Sequence, residues 1–161
     1  MVKVAMIQID VEYGKPAQNF AQVTARLQEA KALGAQVAVL PEMWNTAYDL
    51  THLATLADPA GQQTQRVVSQ LAKQLALNVV AGSVAIKKDG RYYNTTYIFN
   101  DQGELVQTYD KAHRFGPMAE DQYLAAGHQV AWSATGKLDK IKSLSFVGMI
   151  PVSHRSHAFR F

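Results

Sequence analysis

Near the amino terminus, the spacing of apolar residues changes from alternating to helical and back, which predicts a β-α-β unit. Lys3 to Ile9 alternates and is rich in β-branched residues, as is typical of a strand. A helical stripe follows, and Gly34 stands where a helix commonly ends; the stripe comprises Phe20, Val23, Leu27, Ala30 and Leu33. The apolar run Val37 to Leu40 predicts a second strand. Such a connection implies parallel pairing and a right-handed crossover.

The spacing of apolar residues after the second predicted strand indicates a second long helix and an antiparallel meander. Two helices are expected, near Leu50 to Leu56 and at Gln62 to Leu77, the longer one with Val67, Leu71 and Leu75 on one face. Three strands joined by tight turns at Lys88-Asp89-Gly90 and Asn100 to Gly103 are expected at Val79 to Ile86, Tyr92 to Phe99 and Leu105 to Tyr109. A helical turn at Glu120 to Ala125 and a strand at Gly127 to Ala134 follow. We therefore expect an α/β (α+β) fold, a mixed sheet with helices on one face.

The amino-acid composition limits the classes of protein to which this chain can belong. The chain has 161 residues, of which 48% are hydrophobic, and this is enough for one domain with a real core. No apolar run approaches the roughly 20 residues of a membrane span, and the amino terminus lacks the features of a secretory signal. We therefore expect a cytoplasmic protein without a membrane partner. The chain contains 0 Cys, which excludes disulfides, thiolate metal sites and a cysteine nucleophile in it as read.

The net charge of +3 does not indicate a nucleic-acid partner. Part of the excess lies in Ser143 to Phe161, which has no Asp or Glu but contains Arg155 and Arg160. No stripe of Lys and Arg interleaved with aromatic residues appears in the body of the chain. We therefore expect no binding to nucleic acid.

Three charged residues follow predicted strands or loops, where chemistry is often found. Glu42 comes after Pro41 at the carboxyl end of the second strand, the end at which ligands bind in open α/β sheets. Lys111 follows the fifth strand, and Glu120 follows the Gly116-Pro117 break. Singly, each is more often a solvated surface residue, and His113 alone is more often structural. An unrelated α/β domain with a plain Glu42–Lys111 ion pair therefore stays an alternative.

Taken together and in this order, the motifs resemble the nitrilase superfamily of carbon–nitrogen hydrolases, in particular its small amidases of the ω-amidase type. The resemblance runs from Lys3 to about Ile141. Its motifs are Pro41-Glu42, Tyr93-Asn94-Thr95, Tyr109-Asp110-Lys111-Ala112-His113, and Glu120 ahead of Tyr123-Leu124-Ala125-Ala126-Gly127.

The resemblance implies a fold and a mechanism. The fold is the N-terminal part of a four-layer α-β-β-α sandwich, formed by residues 1–142 as a partial hydrolase domain. Glu42 is implied as the general base, Lys111 as the cation beside the oxyanion, and Glu120 as the residue that holds Lys111 and the substrate. A cysteine attacks a small carboxamide, and no metal or organic cofactor takes part. The intact protein is implied to be a homo-oligomer.

The nucleophile that the resemblance implies is missing. A motif of the form Cys-x-Tyr-Asp-x-Arg-Phe-Pro is expected near Phe146-Val147, and the sequence there does not match. With suitable synonymous codons, reading the messenger from the third base of each codon from Phe146 gives this motif; the Asp, from Met149-Ile150, needs no codon choice. We hypothesise a frameshift between about Ile141 and Phe146.

Residues 143–161 would then be an aberrant, out-of-frame tail, and the chain would be inactive. Two alternatives stay open. One is an ordinary last strand at Leu144 to Ile150 followed by a basic end. The other is a non-catalytic pseudoenzyme or binding protein that keeps the fold.

Overall fold

A mixed seven-stranded sheet is the centre of residues 2–128, the part of the chain that the computed structural model describes. The strands are β1 Val4–Met6, β2 Val37–Val39, β3 Asp58–Pro59, β4 Asn78–Val80, β5 Val84–Lys88, β6 Arg91–Phe99 and β7 Leu105–Asp110. Their order is β1-β2-β4-β6-β5-β3, and β7 also pairs with β6. The helices are α1 Pro16–Ala32, α2 Leu53–Leu56, α3 Gln62–Leu75 and α4 Glu120–Tyr123, with a 3₁₀ turn at Gly116–Met118.

The β-α-β unit predicted from periodicity is confirmed. Strands β1 and β2 pair in parallel, with Val4 opposite Val37, and β4 pairs in parallel on the other side of β2. Helix α1 begins with Pro16, whose missing N–H is not needed in the first turn, and it is followed by Gly34 in a left-handed conformation with φ +83°.

The antiparallel meander is also confirmed, with β6 as its centre. This nine-residue strand pairs with both β4 and β5 along one edge and with β7 along the other. The β5–β6 turn has positive φ at Asp89 (51°) and Gly90 (73°), as expected for a type I′ hairpin. Because β6 places Asn94 and Thr95 beside the end of β7, it governs the position of the residue that follows β7.

The prediction of one strand over Val79 to Ile86 is wrong, because two strands, β4 and β5, occupy this stretch. The chain turns between them at Gly82, where φ is +54°. A Cβ atom at Gly82 would collide with the carbonyl oxygens of Leu40 and Pro41. The glycine therefore lets the backbone after β2 pass close to the β4–β5 corner. The two-residue strand β3, parallel to β5, was not predicted.

Helices α1 and α3 pack on the same face of the sheet, as predicted, in the main core cluster. The buried face of α3 differs from the predicted one, since Thr64, Val68, Leu71 and Ala72 are buried, whereas Val67 and Leu75 are only partly buried. The start of the helix explains this rotation. The Asp58 carboxylate accepts hydrogen bonds from the backbone N–H (2.8 Å) and hydroxyl (2.7 Å) of Thr64, which turns that side inward.

Two further expectations concern the carboxyl-terminal end of the described residues. The helical turn expected at Glu120 to Ala125 is the short helix α4. The strand expected at Gly127 to Ala134 lies outside the described residues except for its first two positions. The tail 143–161 lies outside them entirely. Within residues 2–128, no helix is long and apolar enough to cross a membrane.

Candidate active site

The corner after β2 holds Glu42 on a firmly fastened piece of backbone. Directly after it, the Met43 N–H donates to the Ser83 hydroxyl (3.0 Å) and the Trp44 N–H donates to the Ser83 carbonyl (3.1 Å). The Trp44 indole is fully buried and donates to the Ala81 carbonyl (2.9 Å). These bonds tie the corner to the β4–β5 turn, so Glu42 projects from a fixed position.

The end of β7 holds Lys111. Its backbone N–H donates to the Asn94 carbonyl (2.8 Å), which continues the β6–β7 pairing by one residue. The preceding residue, Asp110, is buried and accepts hydrogen bonds from the Thr95 hydroxyl (2.7 Å) and the Lys88 ammonium (2.6 Å). Main chain and side chain together therefore fix the strand end from which Lys111 extends.

The start of α4 holds Glu120, whose side chain is fully buried. The backbone N–H of Phe115 donates to Glu120 Oε2 at 2.6 Å, across the intervening 3₁₀ turn. A buried carboxylate needs such donors, because its desolvation is otherwise costly. Glu120 is therefore part of the interior, and the predicted alternative of a solvated turn residue does not hold.

The structure brings the three predicted residues together. Lys111 Nζ lies 2.8 Å from Glu42 Oε1 and 2.9 Å from Glu120 Oε2. The side chains of Lys111 and Glu42 are only 16% and 15% exposed, so these contacts are largely shielded from solvent. Asn94 joins them, since its Nδ2 lies 2.9 Å from Glu42 Oε1 and 3.1 Å from Glu120 Oε1.

Electrostatics favour the charged form of Lys111. Burial alone would lower the pKa of its ammonium, but hydrogen bonds to Glu42 and Glu120 and the negative charges of both outweigh this effect. The net result is a raised pKa for Lys111. The two carboxyl side chains thus favour the ammonium form of Lys111, and this ammonium can in turn stabilise a negative charge that develops beside it.

Tyr48 faces the same two carboxylates. Burial raises the pKa of its phenol well above its usual range, and the charges of Glu42 and Glu120 and hydrogen bonds to them add to the rise. The loop that carries it has positive φ at Ala47 (55°) and Tyr48 (62°), values that non-glycine residues seldom adopt. This backbone geometry turns the chain after Glu42 so that Tyr48 comes back to the cluster.

Sequence reasoning assigned no role to Asn94 or Tyr48. A signal for Asn94 existed, because Asn is depleted in strands and this one lies in the middle of a predicted strand. Tyr48 gave no signal, because its approach depends on left-handed backbone that the residue types do not indicate. His113 is exposed.

Comparison with known proteins decides the family. The model of the carbon-nitrogen hydrolase family matches residues 3–144, nearly the whole chain. The chain belongs to the carbon-nitrogen hydrolase family. It is 38% identical over 144 residues to a 2-oxoglutaramate amidase of Bacillus subtilis and 32% identical over 113 residues to an omega-amidase of Danio rerio. These alignments cover 89% and 70% of this chain.

Solved structures show the same fold. A CN-hydrolase superfamily protein from Xanthomonas campestris superposes with a TM-score of 0.72 at 23% identity, over 80% of this chain and 47% of that one. An amidase from Nesterenkonia, which has an active-site cysteine, gives a TM-score of 0.70 at 19% identity, over 82% of this chain and 54% of that one. The residues described here are therefore the N-terminal part of the carbon-nitrogen hydrolase fold.

This carbon-nitrogen hydrolase chain spans only part of its relatives. It covers 54% of the length of the Bacillus subtilis amidase and 40% of the Danio rerio enzyme. What the whole relatives do therefore does not transfer directly to this chain.

Proposed function

We propose that Glu42, Lys111 and Glu120 form the acid–base and electrostatic part of a site that hydrolyses the C–N bond of a small carboxamide. One observation supports this most: Lys111 Nζ lies between the two carboxylates, at 2.8 and 2.9 Å, on segments from three different parts of the chain. A surface ion pair would not require a fully buried second carboxylate.

The roles follow from the contacts. Glu42, the partly exposed carboxylate, is the general base: it takes the proton of a nucleophilic thiol and later that of a water molecule. The Lys111 ammonium stabilises the oxyanion of the tetrahedral intermediate, where a shielded cation is most effective. Glu120 is held by Phe115 and keeps Lys111 in place.

The covalent step needs a thiol that the chain as read does not contain. The thiol sulfur bonds to the amide carbon, the C–N bond breaks with proton transfer to nitrogen, and ammonia leaves. Water then cleaves the acyl-thioester to the carboxylic acid and the free thiol. We propose that residues 1–142 are a partial hydrolase domain, that 143–161 are out-of-frame sequence, and that the 161-residue chain has no turnover of its own.

The relatives suggest the substrate class. Because similar proteins are named 2-oxoglutaramate amidase and omega-amidase, the proposed substrate is a small carboxamide such as 2-oxoglutaramate. A homo-oligomeric intact protein and a cytoplasmic location complete the proposal.

Two measurements test it. Sequencing the coding DNA across Ile141 to Phe161 should reveal Cys-x-Tyr-Asp in the shifted frame, followed by a long open continuation. The protein made from that frame should release ammonia from 2-oxoglutaramate, and Glu42→Gln should abolish the release. Ammonia release by the 161-residue chain, or full activity of Glu42→Gln, would contradict the proposal.

The competing candidate is a binding protein without turnover. The intact Glu42–Lys111–Glu120 cluster in a chain without cysteine favours it. It predicts an in-frame gene and measurable binding of 2-oxoglutaramate to the 161-residue chain by calorimetry, with no ammonia formed. Sequencing and calorimetry together therefore separate the two candidates.

A further inference from the structure

We propose that Asn94 is a positioning residue, whose side-chain amide spans Glu42 and Glu120 and holds both carboxylates at Lys111. The inference rests on the proposed function, because it concerns the same cluster. Because Asn94 lies on β6, the central strand of the meander, this strand would set the distance between the two carboxylates.

The chemistry of the partners fixes the orientation of the Asn94 amide. Ionised carboxylates only accept hydrogen bonds, so the NH₂ group of Asn94 must face them. That group has two hydrogens, and Nδ2 lies 2.9 Å from Glu42 Oε1 and 3.1 Å from Glu120 Oε1. Asn94 is only 3% exposed, so water competes little for these donors. One side chain therefore holds two acids.

Asn94 and Lys111 bridge the same pair of oxygens. Lys111 Nζ lies 2.8 Å from Glu42 Oε1 and 3.1 Å from Glu120 Oε1. The four side chains thus form a closed ring in which Oε1 of Glu42 and Oε1 of Glu120 each receive two donors, one from Asn94 and one from Lys111. With Lys111 alone, two neighbouring negative charges would share one cation, and such pairs tend to bind a proton. The second bridge, from Asn94, gives each acid a donor besides Lys111.

The backbone of Asn94 positions the third member of the cluster. Its carbonyl accepts the N–H of Lys111 at 2.8 Å, and it lies opposite Ala85 of β5 in the sheet. Among residues 2–128, the titratable groups that face the two carboxylates are Lys111, at the end of β7, and Tyr48, in the loop after β2. Asn94 contacts the two acids through its side chain and the end of β7, which carries Lys111, through its main chain.

The test follows the titration of the two carboxyl groups by NMR in the 161-residue chain labelled at glutamate. Loss of the Glu42 or Glu120 signal in Glu42→Gln and Glu120→Gln assigns the resonances. We expect Asn94→Leu to raise the titration midpoint of at least one of these carboxyls by about one pH unit or more. The control is Thr96→Val, a near-isosteric change two residues further along the same face of β6. It should leave both midpoints unchanged.

A second variant guards against a misfolded Asn94→Leu protein. Asn94→Asp keeps the shape of the side chain but replaces the two donors with a third carboxylate. The native state should then hold an extra proton, because one of the three acids has a folded pKa above its unfolded pKa. Its stability relative to the wild type, measured as a urea midpoint, should therefore rise as the pH falls from about 8 to about 5.

Unchanged midpoints in a folded Asn94→Leu protein would overturn the proposal, and so would a pH-independent stability difference for Asn94→Asp. Failure of the proposed hydrolase function looks different. In that case the carboxyl midpoints shift as expected, but the protein from the restored reading frame releases no ammonia. The positioning role and the hydrolase function can thus be rejected separately.

Discussion

Lys111 and Glu42 are 69 residues apart in sequence, yet Nζ and Oε1 of the two side chains lie 2.8 Å apart. Each side chain is about as shielded as the other, with 16% and 15% exposure. The contact joins the end of β7 to the corner after β2, two strands that do not pair directly. The pair is therefore a product of the tertiary fold, and its loss should affect the stability of the folded state as well as any chemistry.

Removing the lysine should be strongly destabilising. Lys111→Met leaves Glu42 and the fully buried Glu120 without their cation, and breaking a buried pair in this way typically costs about 3–5 kcal/mol of unfolding free energy. Urea denaturation at neutral pH measures it. Lys15→Met is the matched control, because the Lys15–Glu12 pair is about half exposed and should contribute about 0–1 kcal/mol. Equal effects of the two substitutions would contradict the view of a shielded cluster.

Stability should fall at high pH through Lys111 and Tyr48. Both groups have a folded pKa above the ordinary value, 10.5 for the lysine and 10.0 for the tyrosine. A raised folded pKa means that the stabilising contribution is complete below the unfolded pKa and is lost as the pH rises through the folded one. In urea titrations from neutral to strongly alkaline pH, Lys111→Met and Tyr48→Phe should each show a shallower decline than the wild type. A decline of unchanged steepness in both variants would exclude this origin.

The elements that could be predicted from the sequence are those whose apolar residues follow a regular helical or strand spacing. The stripe from Phe20 to Ala30 fixed α1, and the apolar run ending at Pro41-Glu42 fixed the strand that presents the carboxylate. The ordered motifs then indicated that Glu42, Lys111 and Glu120 belong together, and the structure places them in contact.

What could not be predicted depends on backbone geometry and distant neighbours. Val79 to Ile86 is an almost unbroken apolar run, which shows neither the positive φ of Gly82 between β4 and β5 nor the close approach of the Pro41 carbonyl to this residue. Tyr48 reaches the carboxylates through left-handed backbone, which the sequence does not show. The burial of Thr64 depends on Asp58, whose short strand gives no periodic signal.

The Gly82 corner should tolerate no side chain. Gly82→Ala combines a left-handed φ with a collision against the carbonyls of Leu40 and Pro41, and should lower the unfolding free energy by about 3 kcal/mol or more. Gly90→Ala separates the two effects, because φ is +73° there but no atom lies within 4 Å of the added Cβ. It should lose only about 1 kcal/mol. Urea denaturation of both variants measures the difference, and similar losses would show that the collision is relieved.

Substituting Thr95 should measure how far its hydrogen bond to Asp110, the residue before Lys111, stabilises the folded state. Its hydroxyl donates to the buried Asp110 carboxylate at 2.7 Å, and the near-isosteric Thr95→Val removes this donor and leaves Asp110 with Lys88. Hydrogen bonds to charged groups contribute about 1.5–3 kcal/mol, so the unfolding free energy should fall by that amount. Thr108→Val, on an exposed position of β7, should change the unfolding free energy by less than about 0.5 kcal/mol.

Because Asp110 directly precedes Lys111, Thr95→Val should also shift the NMR titration of the Glu42 carboxyl, whereas Thr108→Val should not. A stability loss without that shift would mean that the Thr95–Asp110 bond supports the sheet but not the site.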